Sequence, residues 1–532
     1  MIKIKTIWSL ILCMLLVISL GASCSGNQAN NASTTTTTNT TNTTASYEYE
    51  GKAPVVAEPV TLTWLGPQSG VTGADDAKAP HIIDALKQAN INVEFELIDG
   101  ASYVEAITPR LASGVDLPDI IKLPNLDPTM QYINSGIFID ITDLYDKYGF
   151  NLKEVYQKYP EVKAGLTTPE GKMYYVPTIA MKNTFVVDIM VNLKWLNKLG
   201  IEIPTTIDEY YSMLKAFKTE DPNGNGIADE IPLFAKNGYL QSFGSMWGLD
   251  LNRGFAVDEN SKVEASYATL KYKDLLTFFN KLYKEKLLDN EFATATSDIR
   301  NSKFAKNLVG TTIDYSVHAS KTLSKQFSEY DGIAPIISNI PPVKGPYGNQ
   351  FYWGVDPLAS VFGITKYCKE PEAAFNLFDY LLSEEGVDII TFGKEGVLYN
   401  IVDGKRVWTD LKNDVNYINT TGADAPSIPR IQNVEMVYSY YPDWHVEQDK
   451  SLIKYYKQPI GFVYSLESEI EILEAYAADL STYWSEMFIA FITGTESLDK
   501  FDDYLKNLEA LHIKELTQVY QDRYDRFIEA TK

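Results

Sequence analysis

The sequence predicts an α/β protein. Strand-like and helix-like stretches alternate from residue 60 onward, roughly 475 residues remain once a polar leader is set aside, and neither a short repeat nor a heptad run interrupts the pattern. "PVTLTWLG" (Pro59 to Gly66) alternates and is rich in β-branched residues, so it reads as a first strand. "HIIDALKQAN" has helical period, "INVEFELID" is a second strand, and "YVEAITPRLASGVDLPDIIKL" gives a helix and then a buried strand at Asp119 to Leu123. Strand, helix, strand, helix, strand at these spacings is the pattern of an open parallel sheet. The length is too great for one hydrophobic core and suits two or three domains.

The later elements follow the same logic. "TPEGKMYYVPT" (Thr168 to Thr178) is a turn and a strand, and "TFVVDIMVNLKWLNKLGI" is an apolar strand running into a helix. In "TIDEYYSMLKAFKTE", Thr206 is the expected N-cap and Glu209 its capping-box partner. "YKDLLTFFNKLYKEKLL" is an amphipathic helix, "GTTIDYS" a short strand, "GIAPIISNIPPVKGPYGNQFYWG" loop and strand, and "EPEAAFNLFDYLLSEEGVDIITF" a helix pair. The last hundred residues are largely helical in pattern. Open α/β sheets bind ligands beyond the carboxyl ends of their strands, so a crevice between two such sheets is the expected site.

The amino terminus has a different character. Lys3 and Lys5, an apolar run from Ile7 to Leu20, and "GASC" ending at Cys24 form a secretory signal over residues 1–23. The run is too short to span a membrane. Cysteine directly after small residues resembles a bacterial lipobox, which implies cleavage before Cys24 and acylation of its thiol. Residues 24–57 are so rich in Thr, Asn and Ser that they cannot bury enough surface to order themselves, and they read as a tether.

Cys368 is the only other cysteine of the mature chain, so there is no disulfide framework. The formal charge of −23 becomes −25 when Lys3 and Lys5 leave, which excludes nucleic acid and an anionic lipid surface as partners of the body. Conversely, 35 tyrosines and 8 tryptophans offer flat apolar faces of the kind on which sugar rings stack.

"DPNGNGIADE" carries chemistry of its own. Asp221, Asn223 and Asn225 occupy positions one, three and five of a calcium loop, Gly226 the sixth, Ile227 the seventh through its carbonyl, and Asp229 the ninth. Pro232 stands at twelve, where an EF-hand has its bidentate Glu, so Glu230 is the residue that closes the shell. No histidine or cysteine is near enough for zinc. The loop has no nucleophile, and the expected calcium is structural.

An ordered series of weaker motifs carries a resemblance. "LASGVDLPDII" resembles the ASG-D-PD-I step of extracellular solute-binding proteins of carbohydrate ABC importers. Asn192, Leu196 and Lys198 match that family's Asn-x-x-x-Leu-x-Lys, and Pro204, Thr206 and Glu209 its Pro-x-Thr-x-x-Glu. "KEPEAAFNLFDYLLSEEG" and "ITGTESLDKFDDYL" resemble its PEAA segment and C-terminal helix pair. The likeness is greatest to the large oligosaccharide-binding lipoproteins, the alginate-binding type included, whose loop at residues 221–230 looks the same. Val191, Tyr175 and "NLKWL" depart from the pattern.

The resemblance implies a two-lobed, periplasmic-binding-protein-like type II α/β fold with a hinge between lobes and a helical C-terminal region. Residues 58–180 would begin the N-terminal lobe and 181–350 form the C-terminal lobe with the calcium loop. Residues 351–435 would return to the first lobe, and 436–532 would pack mainly on the second.

It further implies a non-enzymatic monomer, lipid-anchored at the extracellular face of the cytoplasmic membrane, that delivers an oligosaccharide to ABC-transporter permease subunits. A carbohydrate-cleaving lipoprotein and a sugar sensor for a membrane kinase are the competing readings. No Gly-x-Ser-x-Gly, His-Glu-x-x-His or P-loop pattern favours an enzyme. Candidate ligand residues at strand ends and glycine-rich turns are Trp64, Asn125, Trp247, Asp314, Tyr315, Trp353 and Trp444. Trp195 and Trp484, at helical spacing among apolar neighbours, read as core, and His81, His318 and His512 as isolated.

Overall fold

The computed structural model describes residues 47–68, 79–123, 126, 129–180, 186–393, 395–410, 428–439, 441–461 and 463–532. The signal segment, Cys24, the greater part of the tether and Asn125 lie outside the described residues. Two sheets organise the body. The first has strand order β2-β1-β3-β12-β4, built from β1 (Val60–Gln68), β2 (Ile91–Asp99), β3 (Ile120–Lys122), β4 (Tyr175–Ile179) and β12 (Leu358–Ile364). The second has order β10-β5-β9-β6, from β5 (Val187–Asn192), β6 (Ile231–Ala235), β9 (Val309–Tyr315) and β10 (Ile337–Asn339).

Each sheet has its own core. Leu62, Trp64, Ile120, Val361 and Phe378 belong to the first, whereas Ile189, Trp195, Leu233, Phe279 and Ile313 belong to the second. The long helix Glu467–Thr493 and its successors Phe501–Ala510 and Ile513–Ala530 add Phe488, Phe491, Tyr504 and Leu516 to the second core. Trp195 lies over Gly310 of β9, where a Cβ would approach its ring to 2.8 Å, so a bare backbone lets the indole pack flat on the strand. The helix Ile207–Thr219 begins with the Thr206–Glu209 capping box that its sequence specifies.

Strand direction fixes where the lobes meet. In the first sheet β1, β2 and β3 are parallel and β12 runs against its neighbours; in the second β9 and β6 are parallel and β5 runs against β9 and β10. The reversed strands, β5 and β12, are those that enter from the other lobe. The start of β5, Val187, is paired with Tyr315 at the end of β9, and the start of β12, Leu358, with Ile179 at the end of β4. In both lobes the chain therefore arrives where the other strands finish, and the strand carboxyl ends face the crossing.

The crossings are tied together by hydroxyls. Two hairpins, β7 (Phe255–Val257) with β8 (Val263–Ala265) and β13 (Tyr399–Val402) with β14 (Lys405–Trp408), stand apart from the sheets, and two short strands, β11 (Tyr352–Trp353) before the second crossing and β15 (Tyr456–Lys457), lie side by side in parallel. The Tyr352 hydroxyl accepts from Ile189 N at 3.1 Å and donates to Ile340 O at 3.0 Å, bridging two backbone groups that would otherwise need each other. The Tyr456 hydroxyl donates to Asp188 Oδ2 at 3.1 Å. Among the described residues no helix is long and apolar enough to cross a membrane.

Candidate functional site

The carboxyl edge of the second sheet gathers the most chemistry. Asp314, fully buried near the end of β9, pairs with the guanidinium of Arg300 from the helix Ser297–Ala305 and with Lys236 Nζ at 3.3 Å, just past the end of β6. Asp314 Oδ1 also accepts from the backbone N of Tyr315 at 2.8 Å, and His318 Nε2 stands 3.8 Å from it. A buried carboxylate needs such partners, because an unpaired one costs several kcal/mol in low dielectric. Asp314 is thus enclosed, and the sequence-based expectation that it offers its carboxylate to a ligand is corrected.

Tyr315 points the other way. It is 39% exposed and meets Tyr239 edge to face at 5.4 Å. Lys236 Nζ lies 4.0 Å from the Tyr239 ring centre and donates to Ser297 Oγ at 3.0 Å. Burial is the main influence on Lys236 and lowers its pKa, with Asp314 opposing and Arg300 adding to the fall. His318 is lowered to about 4 by burial, and Arg300, Lys236 and Lys321 push in the same direction against Asp314.

The tryptophans divide between core and edge. Trp64 is 1% exposed and enclosed by Phe95, Phe362 and Phe378 at 5.6 to 5.9 Å, so it is a core residue of the first lobe and not a platform. Trp247, 2% exposed and packed on Phe278, is likewise core in the second lobe. Both corrections have one cause: an indole turned to the interior of a sheet or helix layer buries a large apolar area that exposure would forfeit.

Trp353 is half-buried, directly before the second crossing. Its Nε1 donates to Leu249 O at 2.9 Å and its ring meets Phe351 edge to face at 5.0 Å, with Lys457 Nζ 5.4 Å above it. Trp444, also half-buried, donates from Nε1 to the Tyr330 hydroxyl at 3.3 Å. Its helix, Asp443–Leu452, is anchored to the hinge end of β10 because Gln448 Oε1 accepts from Asn339 N at 3.1 Å. Tyr315, Trp353 and Trp444 therefore stand on elements that reach the crossing, whereas Trp64 and Trp247 do not offer a face there.

A hollow of about 220 Å³ lies between the second crossing and the C-terminal helix, lined by Asp356, Leu358, Gln458 and Phe527 among others. It does not include the cation and aromatic set, and we assign it no ligand.

The loop after the helix Ile207–Thr219 is wound tightly. Asp221 Oδ1 accepts from Gly224 N at 2.9 Å and Asn225 N at 3.1 Å, Asn223 Oδ1 from Asn225 N at 3.0 Å, and Asn225 Oδ1 from Ile227 N at 2.7 Å. Gly224 and Gly226 take φ of 76° and 74°, where a side chain would be strained. Asp229 accepts from the amides of Asn223 and Asn225, both at 3.1 Å.

Glu230 is 2% exposed, and its Oε1 has no hydrogen-bond partner among the described residues. Burial raises its pKa, with Asp229 and Asp221 adding to the rise. Among the described residues no three His, Cys, Asp or Glu side chains stand together as a metal site. The loop instead mixes carboxylates with amide and backbone oxygens, the donor set a hard cation takes. An orphaned buried carboxylate oxygen beside two like charges fits such a cation.

Residues reasoned from sequence alone did not include Lys236, Arg300, Tyr239 or Asp188, and took His318 as isolated. Arg300 and Asp314 lie fourteen residues apart on different elements, so no local pattern joins them. The one usable signal was Lys236, a cation immediately beyond the apolar strand "IPLFA".

Comparison with known proteins adds the remaining evidence. Residues 70–388 match the family described as bacterial extracellular solute-binding protein. The fructooligosaccharide ABC transporter substrate-binding protein FusA of Streptococcus pneumoniae is 30% identical over 46% of this chain and 48% of its own length. The polygalacturonan/rhamnogalacturonan-binding protein YtcQ of Bacillus subtilis is 25% identical over 66% and 69%. The match thus spans about half the length of FusA.

Among solved structures, the alginate-binding protein AlgQ2 without calcium ion superposes with a TM-score of 0.70 at 25% identity, over 89% of this chain and all of AlgQ2. FusA in complex with kestose superposes at 0.72 and 21% identity over the same shares, a likeness of fold. These neighbours are two-lobed solute-binding proteins, as the two sheets with reversed crossing strands already indicate. By its matched residues and by its architecture, this chain belongs to the bacterial extracellular solute-binding proteins.

Proposed function

We propose that this protein captures an oligosaccharide between its lobes and delivers it uncut to the permease subunits of an ABC importer. The observation that carries the reading is the pair Tyr315 and Trp353: Tyr315 ends β9 on the carboxyl edge of the second sheet with its ring 39% exposed, and Trp353, half-buried, directly precedes the second crossing. Sugar rings offer apolar C–H faces to such platforms and hydroxyls to the polar groups beside them. The names of FusA and YtcQ, a fructooligosaccharide transporter component and a polygalacturonan/rhamnogalacturonan-binding protein, support the same class of ligand. Hinge closure over the ligand then supplies the shape that membrane subunits distinguish from the open form.

The rest of the arrangement follows from this role. Calcium, held by Asp221, Asn223, Asn225, Asp229, Glu230 and the Ile227 carbonyl, clips a turn of the second lobe and takes no part in binding. A lipid on Cys24 and the tether behind it keep a monomeric body at the extracellular face of the cytoplasmic membrane.

The test is a thermal-shift screen of the purified chain against oligosaccharides of several linkages, each recovered afterwards and sized. A ligand that binds only the native state raises the melting temperature, by about 2.7 kcal/mol of apparent stability at a hundredfold excess over Kd. A stabilising sugar recovered at full length is the expected result. Shortened products would make the protein a carbohydrate-cleaving enzyme, and a silent panel would remove carbohydrate as its ligand.

A further inference from the structure

The open aromatic at the crossing, Tyr315, lies beside a local excess of positive charge in a protein whose formal charge is −23. One carboxylate, Asp314, is shared by Arg300 and Lys236. His318, beside them, experiences Arg300, Lys236 and Lys321 together, opposed by Asp314. Asp188 faces Asp314 across the β5–β9 ladder. Its hydrogen bond is from Tyr456, and burial raises its pKa well above the usual range, which favours the uncharged acid. On the helix Ser297–Ala305 the acid is Asp298, exposed in its first turn, and Asp289 and Glu291, which precede that helix, are engaged by Lys303 at 2.6 and 3.0 Å.

We propose that Lys236 and Tyr315 form a subsite for a sugar carboxylate, so that the ligand is an acidic, uronate-bearing oligosaccharide. This rests on the reading of the protein as an oligosaccharide binder. Lys236 spends two of its three N–H groups on Asp314 and Ser297, and with 18% of its side chain exposed it has a third to give. Arg300, 1% exposed, contributes its field and holds Asp314 in place without touching a ligand. The Tyr239 ring beneath Lys236 and the bond to Ser297 fix the ammonium, so little side-chain freedom is lost when an anion arrives.

A neutral sugar would leave the cation without a second counter-charge inside a closed cleft. A carboxylate supplies it, and its ring stacks on the exposed face of Tyr315. One donor, Lys236, and the net single positive charge of Arg300, Lys236 and Asp314 beside one aromatic face suit a single uronate residue.

The experiment pairs each acid with its own neutral form. Calorimetric titration of the purified chain uses oligomers of galacturonate, mannuronate and glucuronate, the fully methyl-esterified form of each, and neutral gluco- and fructo-oligosaccharides. The expected result is at least one uronate oligomer bound about tenfold or more tighter than its ester, with an affinity that falls as salt rises. Lys236→Gln, a change at a partly exposed position, should remove most of that preference while the melting temperature stays within a few degrees. Esters bound as tightly as acids, a Lys236→Gln variant with undiminished preference for the acid, or binding by neutral oligosaccharides alone would overturn the carboxylate subsite and leave the binding function standing. Failure of every sugar would overturn the function itself.

Discussion

Trp64 and Tyr315 began as equivalents, aromatic residues toward the ends of apolar strands, and the fold treats them in opposite ways. Trp64 lies four residues before Gln68, the end of β1, on the face of the first sheet that Phe378 and Phe362 cover. Tyr315 is the last residue of β9 and meets Tyr239 and His318, yet its ring stays 39% exposed. A strand-end aromatic can serve as a platform only where the packing around it leaves part of its ring open. The first lobe thus puts aromatic area into cohesion, and the second puts part of it at the crossing.

The largest expected effect tests the cohesive side. Trp64→Ala should destabilise the protein by about 3–5 kcal/mol, the range for emptying a large aromatic site in a core, as read by denaturant melting. A loss under about 1 kcal/mol would mean that Trp64 is not enclosed, and the contrast would collapse. Next in size, a chelator should lower the melting temperature through the loop at Asp221, by an amount equivalent to about 2–3 kcal/mol if the ion is held a hundredfold above its Kd. Asp221→Ala should abolish that response while sugar affinity in the native state persists, because the loop leads into the amino end of β6, paired with the start of β9, and the crossing lies at the other end of these strands. Smallest in stability is Tyr315→Ala, within about 0.5 kcal/mol of the parent as for other exposed sites, yet with sugar affinity reduced roughly tenfold. Unchanged affinity would show that the open ring is a bystander.

The alternation of strands and helices from Val60 to Lys122 was readable because each element is buried on a regular face, and the Thr206–Glu209 box because its signal is local. The spacing of oxygens in the 221–230 loop is local too, and the structure winds those side chains onto one turn. What periodicity could not give is facing. Trp64 and Trp353 look alike as letters, and only the partners that arrive from residues 362 and 378, or 249 and 457, decide which of them is enclosed. The same holds for Arg300, whose role is set by a strand fourteen residues later and by a lysine at the end of another.

The reversed strand β12 has a consequence for the making of the protein. It lies between β3 and β4, yet it is synthesised about 180 residues after β4. A chain emerging amino end first must therefore carry β3 and β4 with unpaired edges until all the strands of the second sheet have been made. Closing so long a loop is slow, and open strand edges invite pairing with other chains in the interval. The first sheet to be begun is the last to be completed, and its half-built form is the one that leaves strand edges open to other chains.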